Sequence, residues 1–179
     1  TLEELERLEG SLIAFFEAAW PQFDPAPFTP GWHLNAIAEH LEAVTAGQIR
    51  RLILNLPPRH AKTLLVGVAW PAWVWANASD PDCPLIGPQT KFMYLSYGDQ
   101  LSLDTATTAR RLIMSQWYQE RWGHRVRLRK DQEAKAKFDN HAGGTRISAS
   151  FMGALLGRGG DIRILDDPMK IDEAESEDV

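Results

Sequence analysis

Residues 57–63 read Pro-Pro-Arg-His-Ala-Lys-Thr and stand between an apolar run, Arg51 to Leu56, and a helical stretch opening at Lys62. A strand, a tight loop and then Lys-Thr at a helix start is an arrangement that binds phosphate. Backbone N–H groups at the helix start point into one concavity, and the helix dipole adds partial positive charge there. In such a loop Lys62 reaches the β- and γ-phosphates of a nucleoside triphosphate, and Thr63 offers its hydroxyl to Mg²⁺. Pro58, Arg59, His60 and Ala61 complete the cradle, with Arg59 a candidate sensor in cis. The strict pattern G-x-x-x-x-G-K-[ST] would place glycines at 56 and 61, where this chain has Leu56 and Ala61. A strand-to-helix turn with a solvated lysine therefore stays open as the bland alternative.

The second chemical segment is Ile162-Arg163-Ile164-Leu165-Asp166-Asp167. A mostly apolar strand ending in acids fixes a carboxylate at its C-terminal edge, where ligands of parallel sheets collect. Asp166 can hold Mg²⁺ directly or through water, and Asp167 can orient and deprotonate an attacking water. Two solvated turn aspartates before Pro168 are the alternative. The two motifs, about 100 residues apart and each following an apolar strand, support one another.

The elements that must position them follow from periodicity. Leu2, Leu5, Leu8, Leu12, Phe15 and Phe16 recur every three or four residues and predict an opening helix. Prolines 21, 25, 27 and 30 require an extended, wrapped segment. His33 to Ala46 reads as a helix that ends at Gly47. Arg51 to Leu56 reads as a buried strand, and Lys62 to Asn77 as a helix whose Trp70 and Trp73 pack in the core. Lys91 to Ser96 is a further buried strand, and Asp99 caps a helix running to Ser115. Phe138 to Ser150 forms a hairpin turning at Gly143-Gly144, and Ile162 to Leu165 is another buried strand. The acidic tail from Asp172 is helical or frayed. Strands alternating with helices specify an α/β fold with a mainly parallel sheet flanked by helices.

The chain of 179 residues suits one α/β domain, and 44% hydrophobic content suffices for a core. A net charge of −5 gives no global attraction to nucleic acid, so any such contact needs a local basic patch. The arginines at 110, 111, 121, 125, 127 and 129 are the candidates, with a solvated face as the alternative. Cys83, the single cysteine, forms neither an internal disulfide nor a cysteine zinc site, which fits a reducing intracellular setting. No apolar run has the length of a membrane span. Glu3, Glu4, Glu6 and Glu9 are opposite in charge to the start of a signal peptide.

Taken in order, these motifs resemble a known family. Pro57-Pro58-Arg59-His60-Ala61-Lys62-Thr63 is similar to the deviant Walker A loop of phage terminase large subunits. Gly31-Trp32-His33 and Gly47 to Leu56 resemble the stretch leading into that loop. Leu95-Ser96-Tyr97, Gly157-Arg158-Gly159-Gly160-Asp161, Ile164-Leu165-Asp166-Asp167-Pro168 and Glu173-Ala174-Glu175-Ser176 resemble the rest, over residues 28–178. The resemblance implies a P-loop NTPase of the RecA-like, additional-strand (ASCE) class, the ATPase motor that drives double-stranded DNA into a viral procapsid. It implies ATP and Mg²⁺ as cofactors, with Lys62 and Thr63 on triphosphate and metal and Asp166 as the Walker B acid. Asp167 stands where many members place a catalytic Glu, and Glu173 or Glu175 could contribute. Arg158, eight residues before Asp166, is a candidate arginine finger. Phe28, Trp32 and His33 occupy the region from which relatives of this class contact the base. The implied partners are double-stranded DNA, the portal protein of the procapsid, the small terminase subunit and further copies in a ring. No membrane is implied, and the setting is the bacterial host cytoplasm during virus assembly.

On this reading residues 1–30 are a helix and wrapping segment, and 31–179 a partial ATPase core. The chain ends 12 residues after Asp167, before the family's ATPase-coupling strand and its nuclease domain. The expectation is therefore a truncated chain with an incomplete central sheet, no nuclease activity, and weak or absent ATPase on its own. A degenerate or truncated prophage protein that binds nucleotide without efficient hydrolysis is the alternative. A small-molecule kinase would need a glycine-bounded, arginine-rich lid, which Lys91 to Arg129 lacks.

Overall fold

The computed structural model describes residues 1–129, 136–150 and 159–167. Helix α1 (Leu2–Gly10) and helix α2 (Leu12–Ala19) replace the single opening helix expected from the leucine spacing. The break is chemical. Ser11 adopts an extended backbone and its hydroxyl accepts from Ala14 N, so it caps a new helix. The start of the proline segment is not extended: Pro21 and Gln22 belong to a 3₁₀ turn, Trp20–Gln22, because a proline's fixed φ suits the first turn of a helix, and the rest, from 24 to 30, runs without helix or strand. Phe16 is ringed by Trp20, Phe23 and Phe28 at centroid distances of 5.7, 6.0 and 5.8 Å. Helix α3 (Trp32–Thr45) ends where Gly47, at φ +73°, supplies the left-handed residue. Gly47 N bonds Val44 O and Gln48 N bonds Ala43 O, a Schellman ending.

The stretch read as a buried strand, Arg51 to Leu56, is not one. Leu52, Leu54 and Leu56 turn onto the core while Arg51, Ile53 and Asn55 face out, Ile53 being 84% exposed. The run is extended and alternates, but its backbone has no ladder partner among the described residues. Apolar alternation is a property of the segment; pairing needs a neighbour in register.

From Lys62 the chain is helical to Ala76 in three parts: α4 (Lys62–Leu64), a π-helical segment (Leu65–Ala69) and α5 (Trp70–Ala76). Pro71 explains the wide turn. It has no N–H to give Gly67 O, so the ladder opens, and Trp70 N reaches back to Leu65 O. The freed Gly67 carbonyl accepts from Arg146 Nη2 at 2.8 Å. The tryptophans are core residues, each with its indole N–H satisfied: Trp70 on Thr45 Oγ1, Trp73 on Leu8 O, Trp75 on Thr90 O.

The sheet is four-stranded and mixed, in the order β2-β3-β1-β4. Strand β1 (Phe92–Ser96) is buried throughout and runs parallel to both β3 (Thr145–Ser150) and β4 (Ile162–Asp166). Strand β2 (Lys137–Asp139) returns antiparallel on β3 through the hairpin expected at Gly143. Strand β4 alternates rather than being buried on both faces: Ile162, Ile164 and Asp166 point in, and Leu165 is 54% exposed. Helix α6 (Asp99–Met114) packs on β3 and β1. Gly98 takes its N-cap position, so Asp99 is the first helical residue and acts on the dipole rather than as the cap. Helix α7 (Gln116–Trp122) sets Trp117, Tyr118 and Trp122 around Phe15. Leu8, Leu12, Phe15 and Phe16 thereby share one core with Trp75, Tyr94 and Ile164. Among the described residues no helix is long and apolar enough to cross a membrane.

Gly67 is where the π segment meets the sheet. A Cβ there would sit 2.8 Å from Tyr94 Cε2 and 3.1 Å from Thr105 Cγ2. Gly67→Ala is expected to destabilise the fold by about 1–3 kcal/mol through overpacking, read as a lower denaturant midpoint at unchanged slope. An unchanged midpoint would mean the contact relaxes freely.

Candidate functional site

The loop ahead of Lys62 is built from left-handed residues. Arg59 has φ 65° and Ala61 φ 55°. Alternation of left-handed with ordinary residues curls successive N–H groups toward one concavity. Pro58 and Arg59 form a turn, and among the described residues the backbone N–H groups of Ala61, Lys62 and Thr63 donate no hydrogen bond. Pro58, Arg59 and His60 are exposed, and Ala61, Lys62 and Thr63 are half-buried. His60 Nδ1 lies 2.9 Å from Pro58 O, and its ring stands edge-on to His33 at 5.4 Å. Ala61 thus occupies a left-handed position that a glycine would adopt without strain.

Strand β4 delivers the two aspartates to this loop. Asp166 ends the inward face of β4 and is 7% exposed. Asp167 follows with φ 45° and turns outward, its side chain 70% exposed. Lys62 Nζ lies 3.3 Å from Asp166 Oδ1 and 3.0 Å from Asp167 Oδ1. Thr63 Oγ1 donates to Asp166 Oδ2 at 2.6 Å. Residues separated by more than 100 positions therefore meet through side chains at the start of one helix and the end of one strand. Burial opposes the Lys62 ammonium, yet the hydrogen bonds and charges of Asp167 and Asp166 outweigh it and hold its pKa above the ordinary lysine value. A phosphate entering the loop competes with both carboxylates for this cation.

Residues that the sequence reading passed over complete the cluster. Tyr94, fully buried on β1, donates its hydroxyl to Asp166 Oδ2 at 2.9 Å. Thr105 Oγ1 of α6 lies 3.4 Å from that hydroxyl. Burial pushes the Tyr94 pKa far above its ordinary value, so the group stays a donor. Arg146, fully buried on β3, lies 5.2 Å from the Tyr94 ring centroid. Burial pushes its pKa down to about 10, opposed by the nearby Tyr94, and it remains a cation at neutral pH. A polar tyrosine inside the apolar run Phe92–Ser96 was the signal available.

The donor set suits Mg²⁺. It is all oxygen, with the Asp166 carboxylate, the Thr63 hydroxyl and the exposed Asp167 carboxylate around one point of the loop. Among the described residues no group of three acidic, histidine or cysteine side chains forms a metal cage. Few protein ligands is the expected pattern for a magnesium ion that travels with phosphate and keeps its waters.

The remaining candidates divide. Phe28 is half-buried and packs on Phe16 and Trp20. Trp32 is 82% exposed and adjoins His33, which adjoins His60. Arg121 and Arg125 are used internally, on Glu4 at 3.1 Å and Glu9 at 2.7 Å. Arg110, Arg127 and Arg129 line a separate open pocket of about 730 Å³ with Met114, Leu128 and His141. Arg158, Glu173 and Glu175 lie outside the described residues. Comparison of the chain with protein-family models, curated proteins and solved structures finds no match.

Ala61→Gly is expected to raise stability by about 1 kcal/mol by removing the left-handed Cβ penalty, read by thermal melting. It is also expected to tighten ATP binding, since the backbone could then close on phosphate without a methyl group in the way. No change in either measurement would show that the loop accommodates alanine.

Proposed function

We propose that this chain is the ATP-binding motor portion of a terminase-type large subunit, a P-loop NTPase of the RecA-like class that drives double-stranded DNA into a procapsid. One observation carries the reading: Thr63 and Lys62 at a helix start both engage Asp166 at the end of a parallel strand. That is the chemistry which couples a phosphate loop to a metal-binding acid, and it arises here without either loop glycine. Motif order along the chain adds the terminase assignment.

In this reading Lys62 exchanges its aspartate partners for the β- and γ-phosphates of ATP. The N–H groups of Arg59 to Thr63 take the phosphate oxygens. Thr63 and Asp166 would hold Mg²⁺, which would supply charge neutralisation at the phosphoryl group being transferred. Once Lys62 moves to phosphate, Asp167 is released to orient a water molecule and accept its proton. Arg158 would supply the finger, in cis or toward a neighbouring copy in a ring. Trp32 and His33 border the His60 side of the loop, where the base would lie. Portal protein and small subunit are the partners such a motor would have.

The Arg110, Arg127 and Arg129 pocket is the best-supported place for DNA contact. The bridge between Leu128 and Asn140 fixes its backbone, and Arg127 and Arg129, two apart in an extended segment, share a face. Replacing both with Gln should flatten the dependence of log K on log salt for duplex DNA by about 0.9 per arginine. An unchanged slope would remove this pocket from the DNA path.

A second reading, nucleotide binding without efficient hydrolysis, is favoured by the methyl group of Ala61 in its left-handed position. Binding of a fluorescent ATP analogue with Mg²⁺ should weaken about tenfold or more in Lys62→Ala, the scale of a lost charge-assisted hydrogen bond. Equal binding would overturn both readings. Phosphate release with and without duplex DNA then separates them: release abolished by Asp167→Asn belongs to the motor, and binding without release to the remnant.

A further inference from the structure

We infer that Tyr94 is a positioning residue for the metal-binding carboxylate, an inference that rests on the reading of Asp166 as the Mg²⁺ acid. Asp166 has two oxygens with different surroundings. Among the described residues Oδ1 faces Lys62 alone, at 3.3 Å. Oδ2 accepts from Thr63 at 2.6 Å and from Tyr94 at 2.9 Å. Thr63 and Lys62 both belong to the phosphate loop and are the groups that would turn to nucleotide and metal. Tyr94 belongs to neither. Its strand is the central one, paired with β4 in register so that Tyr94 lies beside Ile164, two residues before Asp166.

The tyrosine itself is held on every side. Its ring is fully buried, with the Arg146 guanidinium 5.2 Å from the centroid and Gly67 so close that a Cβ there would intrude to 2.8 Å. Thr105 stands 3.4 Å from its hydroxyl. A donor carried on a buried ring anchors the carboxylate oxygen it bonds. When Thr63 and Lys62 change partners, the Tyr94 bond is what keeps Oδ2 in place and Oδ1 turned to the loop. Hydrogen bonds of this kind to a metal-holding carboxylate are commonly worth a factor of 10–100 in metal affinity.

The test is Tyr94→Phe, which keeps the ring, its packing and the cation contact and removes only the hydroxyl. Binding of a fluorescent ATP analogue is measured first in EDTA and then through a Mg²⁺ titration. Metal-free nucleotide binding should stay within about twofold of wild type, while the Mg²⁺ half-point rises about tenfold or more. Tyr118→Phe is the control. It loses an equally buried hydroxyl, bonded to Ala72 O at 2.9 Å, and should lower the melting temperature without moving the Mg²⁺ half-point. An unchanged half-point in Tyr94→Phe overturns the inference, and so does an equal shift in Tyr118→Phe or a loss of metal-free binding in Tyr94→Phe. Wild-type protein that binds no nucleotide, or binds it indifferently to Mg²⁺, overturns the reading of the site as a whole.

Discussion

A carboxylate at 7% exposure has to be compensated where it stands, because an uncompensated charge removed from water costs several kcal/mol. Asp166 meets that condition with three donors: Thr63 and Lys62 on the helix after the loop, and Tyr94 on the central strand. Each bond fixes a geometric relation. The first two hold the helix start against the end of β4, and the third locks β4 to β1 above its backbone ladder. The left-handed loop, the outward turn of Asp167 and the close approach of the π segment are all arranged around this one buried charge.

That approach depends on the helix leaving the loop. A regular helix from Lys62 to Ala76 would have no donor for Gly67 O, since residue 71 is proline. The chain widens its turn instead and directs the carbonyl toward Arg146. The same arginine lies over Tyr94. A backbone irregularity and a side-chain network thus share one buried cation, and the sheet end of the site is braced by a group with no carboxylate partner among the described residues.

Much of this was legible in the sequence. The proline wrap, the core tryptophans, the hairpin at Gly143 and the convergence of Lys62, Thr63, Asp166 and Asp167 follow from residue type and spacing. Three features did not. The break at Ser11 depends on a competing local cap inside a continuous leucine period. Arg51 to Leu56 has the composition of a strand, but pairing is a fact about a neighbour, and no local pattern encodes it. Tyr94 was hidden because a tyrosine in an apolar strand is ordinarily read as bulk, and only the register of β1 against β4 shows which acid its hydroxyl meets.

The unpaired run before the loop has one more consequence. From Arg50 to Leu56 no backbone group makes a hydrogen bond among the described residues, and Leu52, Leu54 and Leu56 pack on the core. Beyond the loop, the helix and the aspartate cluster grip the chain through directional bonds. The loop is therefore held by apolar packing on the side that enters it and by directional bonds on the side that leaves it. The leucine side still sets the register, because a one-residue slip would turn Leu52, Leu54 and Leu56 outward and Arg51 and Asn55 inward.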